Sequence, residues 1–249
     1  MKKFTLVSLL CCCMLLTACQ EQKTEITISA ASSLTDVLED VAIRYEEKHP
    51  DIDVLINTGG SGALGQQLKQ GAPVDVFISA SSDVFERLVK EEIIDSKESV
   101  ELFTNEIVLI EHVDQLEEEH ATDLLEYRNI AIGTPETVPA GKYAKQSLQA
   151  KGQYEQVKDR FVYAKDVRQV LHYVETKNVD AGIVYLTDAM QSTKVKVNQH
   201  IELSGYEPII YPAGVIKATE HRKQALDFLA FLQQEEIQAI YKEYGFITE

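Results

Sequence analysis

An α/β fold in two lobes is what this sequence predicts, on three observations. Strand-like and helix-like patterns alternate from Ile26 onward with little between them. The alternation forms two βα series of roughly 100 residues each, a usual size for a lobe or small domain. An acidic stretch from Glu111 to Glu126 breaks the pattern between them, with Glu117-Glu118-Glu119 at its centre and no turn glycine. Such βαβα order argues for mostly parallel sheets covered by helices.

The elements follow in order. Met1-Lys2-Lys3 and the apolar run Phe4 to Leu16 make an export signal, the run being too short to span a bilayer as a stable helix. Leu16-Thr17-Ala18-Cys19 sets small residues before a cysteine, the pattern of a bacterial lipoprotein signal over residues 1–18. Cleavage there would leave Cys19 as a lipidated N-terminus, followed by a polar tether over 19–25. Ile26-Thr27-Ile28-Ser29 alternates as a strand does, and Leu34, Val37, Leu38, Val41, Ala42 and Tyr45 then fall on one helical stripe. Ile52 to Ile56 is a strand, Gly59-Gly60-Ser61-Gly62 a turn, and Leu64 and Leu68 mark a helix. Val74 to Ile78 is the next strand and Val84, Phe85, Leu88 and Val89 the next helical stripe; Glu106 to Ile110 is a further strand.

After the acidic stretch, Asn129 to Ile132 reads as a strand, Pro139-Ala140-Gly141 opens a helix, and Phe161-Val162-Tyr163 is a strand. Lys165-Asp166 opens a helix carrying Val167, Val170, Leu171 and Val174, and Ala181 to Tyr185 is a buried strand. Ile209 to Ile216 is a strand, and two helices follow through Phe228, Leu229 and Leu232, then Ile237, Ile240 and Tyr241.

Composition narrows the function classes. Of four cysteines, Cys11, Cys12 and Cys13 lie in the segment to be removed, so the exported chain has no internal disulfide and no thiolate metal site. The remaining 231 of 249 residues are enough to bury a core of their own. They carry 22 basic residues, after loss of Lys2 and Lys3, against 40 acidic ones, a net charge of −18. Nucleic acid and anionic membranes are poor partners for such a body, and only the lipid on Cys19 would hold it to a membrane.

The chemistry concentrates at four strand-to-helix junctions: Ser32-Ser33-Leu34, Gly60-Ser61-Gly62, Pro139-Ala140-Gly141 and Asp166-Val167-Arg168. Each presents free backbone amides at the positive end of a helix, a place for an anion that needs no charged side chain. An ordinary helix cap accounts for any one of them; Ser33 with Asp36, for instance, matches a capping box with Asp in the third position. Four together, in two series, make an oxyanion cradle. Gly60 and Gly62 would let backbone come close to a ligand. Tyr185 ends an apolar strand at the edge where open α/β sheets bind ligands, and its hydroxyl can donate to an anion.

Other readings are weaker. The six histidines show no helical pairing suited to a metal. Gly59 to Ala63 approaches a nucleophile elbow with Ser61 at its centre but has Ala63 where glycine belongs, which leaves an exported serine hydrolase as a remote alternative. Gly141-Lys142 lacks the Ser or Thr of a phosphate loop, Tyr143 standing in its place.

At these same junctions the chain resembles the molybdate-binding proteins of bacterial ABC importers. The resemblance runs from Ile26 to Phe246, through Ser29 to Thr35, Gly71 to Ala80, Val138 to Ala144, Asp166-Val167-Arg168, Gly182 to Tyr185 and Tyr244-Gly245-Phe246. It implies a two-lobed type II periplasmic-binding-protein fold, with residues 26–110 and 210–249 in one lobe, 111–209 in the other and the ligand cleft between them. It implies a non-enzymatic, monomeric receptor on the extracytoplasmic face that binds molybdate, and tungstate with it, needs no cofactor or metal cation, and hands its ligand to an importer permease. The implied ligand donors are Ser33, Ser61, the amides of Ala140 and Val167, and Tyr185, with Ser32 as an alternative to Ser33. Sulfate, thiosulfate or another tetrahedral oxyanion is the alternative ligand. A site made only of donors disfavours hydrogen phosphate, whose proton would lack an acceptor, at about 1–3 kcal/mol, unless Asp166 faced the ligand.

Overall fold

The computed structural model describes residues 23–115, 124–201 and 208–248. The signal segment 1–18, Cys19, most of the tether and Glu117 to Glu119 lie outside them. Among the described residues, ten strands form two five-stranded sheets. In the first the order is β2 (Ile52–Gly59), β1 (Thr24–Ala31), β3 (Val76–Ile78), β10 (Ile209–Ile216), β4 (Ile94–Asn105). In the second it is β7 (Phe161–Ala164), β6 (Ile130–Gly133), β8 (Ala181–Tyr185), β5 (Ile107–His112), β9 (Val195–His200). The helices are α1 (Thr35–Lys48), α2 (Ser61–Lys69), α3 (Ser82–Lys90), α4 (Pro139–Ala150), α5 (Tyr154–Val157), α6 (Val167–Glu175), α7 (Leu186–Met190), α8 (Arg222–Phe231) and α9 (Glu235–Glu243).

Parallel pairing joins β1 to β2 and β3, and β6 to β7 and β8, as the βα order requires; β10 and β5 enter their sheets antiparallel. Every residue of the predicted first stripe is buried: Leu34, Val37, Leu38, Val41, Ala42 and Tyr45. Tyr45 meets the edges of Phe228 and Phe231, which fastens α1 to α8 on one side of the first sheet. Leu64, Leu68, Phe77, Phe85 and Leu88 make a second, smaller cluster where α2 and α3 cover the other side.

Three sequence expectations change. The tether is shorter, because β1 begins at Thr24, paired with Ile52. The strand at 107–112 belongs to the second sheet, where it pairs with β8 and β9, so the chain crosses between sheets at Asn105-Glu106 and not after 110. Glu111 is therefore not on a surface connection: it is a buried strand residue whose carboxylate accepts from the Tyr127 hydroxyl and from Asn198 Nδ2 at 2.7 Å. The second crossing leads from His200 to Ile209. Two further strands, β4 and β9, lack the apolar pattern of the others. Both are sheet edges, and their sequences, IDSKESVELFTN and VKVNQH, carry the charged and polar side chains that protect an edge from further pairing. Pro212 sits inside β10 at a register shift toward β4, a place where a strand tolerates a missing donor.

Candidate functional site

The predicted junctions meet between the two sheets. Ser32 to Leu34 form a 3-10 turn after β1, and α6, which Val167 opens, packs against it. Ser61 is the first residue of α2 and fully buried. Ala140 is the second residue of α4 and Val167 the first of α6, positions whose amides have no acceptor within their own helix. A methyl group built on Gly60 would stand 3.0 Å from the Lys165 carbonyl and 3.3 Å from the Val138 side chain, which places Ser61 beside the starts of both α6 and α4. Gly141 lets α4 seat tightly on the end of β6: a methyl there would overlap the Gly133 carbonyl. Tyr185 ends β8, and its ring meets that of Tyr211 on β10 edge to face at 5.9 Å, one ring from each sheet.

The hydroxyls of the set are oriented. Ser61 Oγ accepts from the Ala80 amide at 3.0 Å, leaving its proton to donate; its partner here is an amide and not the imidazole a hydrolase would need. Ser33 Oγ lies 3.0 Å from the Tyr211 hydroxyl. Burial pushes the Tyr185 phenol well above 10, with the Tyr211 and Tyr143 phenols close by, so it stays protonated. Its oxygen is buried and has no hydrogen-bond partner among the described residues.

The surroundings are less neutral than the sequence implied. Arg168 reaches across the cleft, its Nη2 2.6 Å from both carboxylate oxygens of Asp36 on α1. Its Nη1 stands 3.7 Å from Oδ1 of Asp188, a fully buried carboxylate on α7. Burial drives the Asp188 pKa up to about 7 despite the arginine. Burial also opposes the charge on Arg168, but Asp188 and Asp36 outweigh it and raise its pKa. A second bridge, Lys142 to Asp83, spans α4 and α3 at the rim.

Asp36 is thus an inter-sheet partner and not the third residue of a capping box; α1 begins at Thr35 with no side-chain cap. Asp166 does cap, its Oδ1 accepting from the Gln169 amide at 2.8 Å. Gly60 and Gly62 face the Thr137 backbone of the opposite side, whose carbonyl accepts from the Gly62 amide at 3.0 Å. The residues that sequence reasoning misses are Tyr211, Asn105, Asp188 and the Arg168–Asp36 pair. Of these only Arg168, next to Val167, has a local signal.

This arrangement of strands and helix starts recurs in known proteins. Residues 26–247 match the family model described as bacterial extracellular solute-binding protein. The Bacillus subtilis protein YvgL, which carries the provisional name of an ABC transporter substrate-binding lipoprotein, is 47% identical over 232 residues, 92% of this chain and 88% of that one. The molybdate-binding protein ModA of Haemophilus influenzae is 32% identical over 229 residues, 89% of each chain. The structure of the periplasmic molybdate-binding protein of Azotobacter vinelandii superimposes with a TM-score of 0.80 at 25% identity, covering 90% of this chain and 99% of that one.

Proposed function

The chain belongs to the bacterial extracellular solute-binding proteins and is a substrate-binding component of an ABC transporter, not an enzyme; from that premise we propose that its cleft receives molybdate, and tungstate with it, for delivery to an importer permease. The observation that carries the reading is the Tyr185 hydroxyl, buried and unpartnered between the sheets, where a protein ordinarily satisfies most polar groups. An anion accepting from it, from Ser33 and Ser61, and from the amides at the starts of α4 and α6 would satisfy them together. Hydrogen bonds to a charged acceptor contribute about 1.5–3 kcal/mol each, enough in sum to offset the lost freedom of the ligand. The molybdate-binding names of the relatives support the choice of molybdate among tetrahedral dianions. Asp166 serves as a helix cap, its Oδ1 accepting from the Gln169 amide.

Thermal-shift and calorimetric titration with molybdate, tungstate, sulfate and phosphate test the reading. Molybdate and tungstate should stabilise the protein by about 2.7 kcal/mol at a hundredfold excess over Kd. A response to sulfate alone would reassign the ligand. Ser33→Ala should raise Kd for molybdate at least about tenfold, whereas Ser32→Ala should leave it within about twofold. The reverse result would move the first donor to Ser32.

The same reading has the protein exported and held by lipid on Cys19, in keeping with the lipoprotein in the name of YvgL. Cys19→Ser should shift the protein from the membrane fraction to the soluble one; retention at the membrane would remove the anchor from the proposal.

A further inference from the structure

Among the described residues, two ion pairs join the helices of the first sheet to those of the second, and both have the same polarity. Arg168 on α6 holds Asp36 on α1, and Lys142 on α4 holds Asp83 on α3. The second sheet supplies the cation each time and the first sheet the carboxylate. The cations sit beside two of the candidate donors: Arg168 follows Val167, and Lys142 stands two residues after Ala140. Ser33 shares the opposite side with Asp36, three residues further on.

As the sheets stand they enclose the site, for Ser33, Ser61 and Tyr185 are all buried. An ion reaches these groups only when the halves part, the hinge motion by which two-lobed proteins admit a ligand. Parting breaks both ion pairs. The cleft face of the second half then carries Arg168 and Lys142 beside the free amides of α6 and α4. The face of the first half carries Asp36 and Asp83; its cation at the same rim, Arg87, turns its Nε back to the Asp83 carbonyl of its own helix at 3.2 Å. Three carboxylates accompany the cations on their own half. Asp188 stands 3.7 Å from Arg168, but burial raises its pKa to about 7, so below that pH it leaves the charge of the arginine in place. Glu175 accepts from Ser192 Oγ at 2.6 Å, and Glu136 is exposed at the rim.

We propose that Arg168 and Lys142 capture the anion: it docks first on the second half, drawn by two cations that pass to Asp36 and Asp83 as the sheets close. The proposal rests on the oxyanion reading of the cleft. It goes beyond it in giving binding an order and the two ion pairs a function. The exported chain, with 22 basic residues against 40 acidic ones, repels a dianion at long range, so a local field of the opposite sign is what brings one in. Once the sheets have closed, the carboxylates neutralise both cations, and the ligand is left with the hydrogen bonds of the serines, Tyr185 and the two amides.

Stopped-flow association of molybdate and tungstate with the full chain separates capture from holding. The chain has no tryptophan, so tyrosine fluorescence reports, with Tyr185 and Tyr211 at the site. Just below neutral pH and at low ionic strength, Arg168→Gln and Lys142→Gln should each lower kon about fivefold, the effect of one unit charge on a dianion across the cleft. Asp36→Asn and Asp83→Asn break the same ion pairs from the other side; they should raise koff and leave kon unchanged or higher. Arg168→Lys keeps the charge without the guanidinium fork and should retain the wild-type kon. Lys217→Gln makes an equal change in net charge past the far end of β10 and should keep kon within about twofold of wild type. Added salt should narrow the gap in kon between the wild type and the two cation variants. Either cation variant carries the test alone if the other does not fold.

Cation and carboxylate variants that raise koff alike and keep the wild-type kon would make the ion pairs simple clasps and overturn the proposal. A fall in kon for Lys217→Gln as large as for the cation variants would also overturn it, as the mark of net charge alone. A wild type in which calorimetry finds no binding of molybdate or tungstate fails the oxyanion reading itself and is distinct from both.

Discussion

Gly62→Ala is expected to raise the Kd for the oxyanion by one to two orders of magnitude while leaving the ligand-free protein as stable as before or slightly more so. Both halves of this outcome come from the same methyl group. Within α2, alanine is the better helix former by up to about 1 kcal/mol. Across the cleft, the added carbon would stand 2.8 Å from both Cα and the carbonyl oxygen of Thr137, backbone atoms that cannot swing aside. Forcing a methyl into such a contact costs about 1–3 kcal/mol, and here the two sides can relieve it by parting. Parting also breaks the bond from the Gly62 amide to the Thr137 carbonyl and draws Ser61 away from the starts of α4 and α6. Calorimetry gives the affinity, chemical denaturation the stability, and small-angle scattering the separation of the two halves with ligand present. Unchanged affinity would mean that the contact at Thr137 is not part of the ligand-bound form.

Asp188→Asn should change the pH dependence of stability more than any other single substitution near the cleft. The carboxyl group has a pKa of about 7 in the folded protein against 3.8 as its ordinary value. The folded state therefore keeps a proton that the unfolded chain releases, and folding loses stability as pH rises from about 4 to about 7, then levels off. The full loss is on the order of a few kcal/mol, since each tenfold difference in proton affinity between the folded and unfolded chain corresponds to about 1.4 kcal/mol. Asparagine has the same shape and never ionises. The variant should match the wild type near pH 4 and exceed its stability by that amount above pH 7. Urea denaturation across this range measures the difference, and parallel curves for the two proteins would refute the assignment. Removing a buried negative charge beside the proposed anion site should also tighten ligand binding above pH 7.

Much of this molecule is written in its sequence in a form that local patterns expose, and the exceptions share a cause. Strands in the middle of a sheet are apolar runs bounded by turns, so β1, β3, β5, β6, β8 and β10 are legible, and the edge strands β2 and β7 keep enough apolar residues to be read as well. The edges β4 and β9 meet solvent along much of their length and spell out as polar segments. The helix starts at Pro139 and Asp166 announce themselves because proline at the first turn and aspartate at the cap each satisfy a local requirement. The assembled site is less legible. Tyr211 lies 178 residues from Ser33, its hydrogen-bond partner, and Asn105 lies 106 residues from Tyr211, distances over which no periodicity speaks. Gly60 and Gly62 are visible as places of close approach, but what approaches is the Thr137 backbone. Asp36 has the spacing of a local cap, whereas its partner Arg168 lies 132 residues away.

The position of β10 has a bearing on how the chain comes together in time. This strand lies between β3 and β4, yet it is the last strand made. The second sheet draws all five of its strands from residues 107–200, so it can close while the C-terminus is still unmade or still in transit. The first sheet must wait in two pieces until residue 209 emerges, and long-range closure of that kind is slow. Tyr211 arrives on that same strand. A chain leaving the cell unfolded would thus complete one half of its body early and become competent to hold its substrate only at the end, after nearly all of it has crossed.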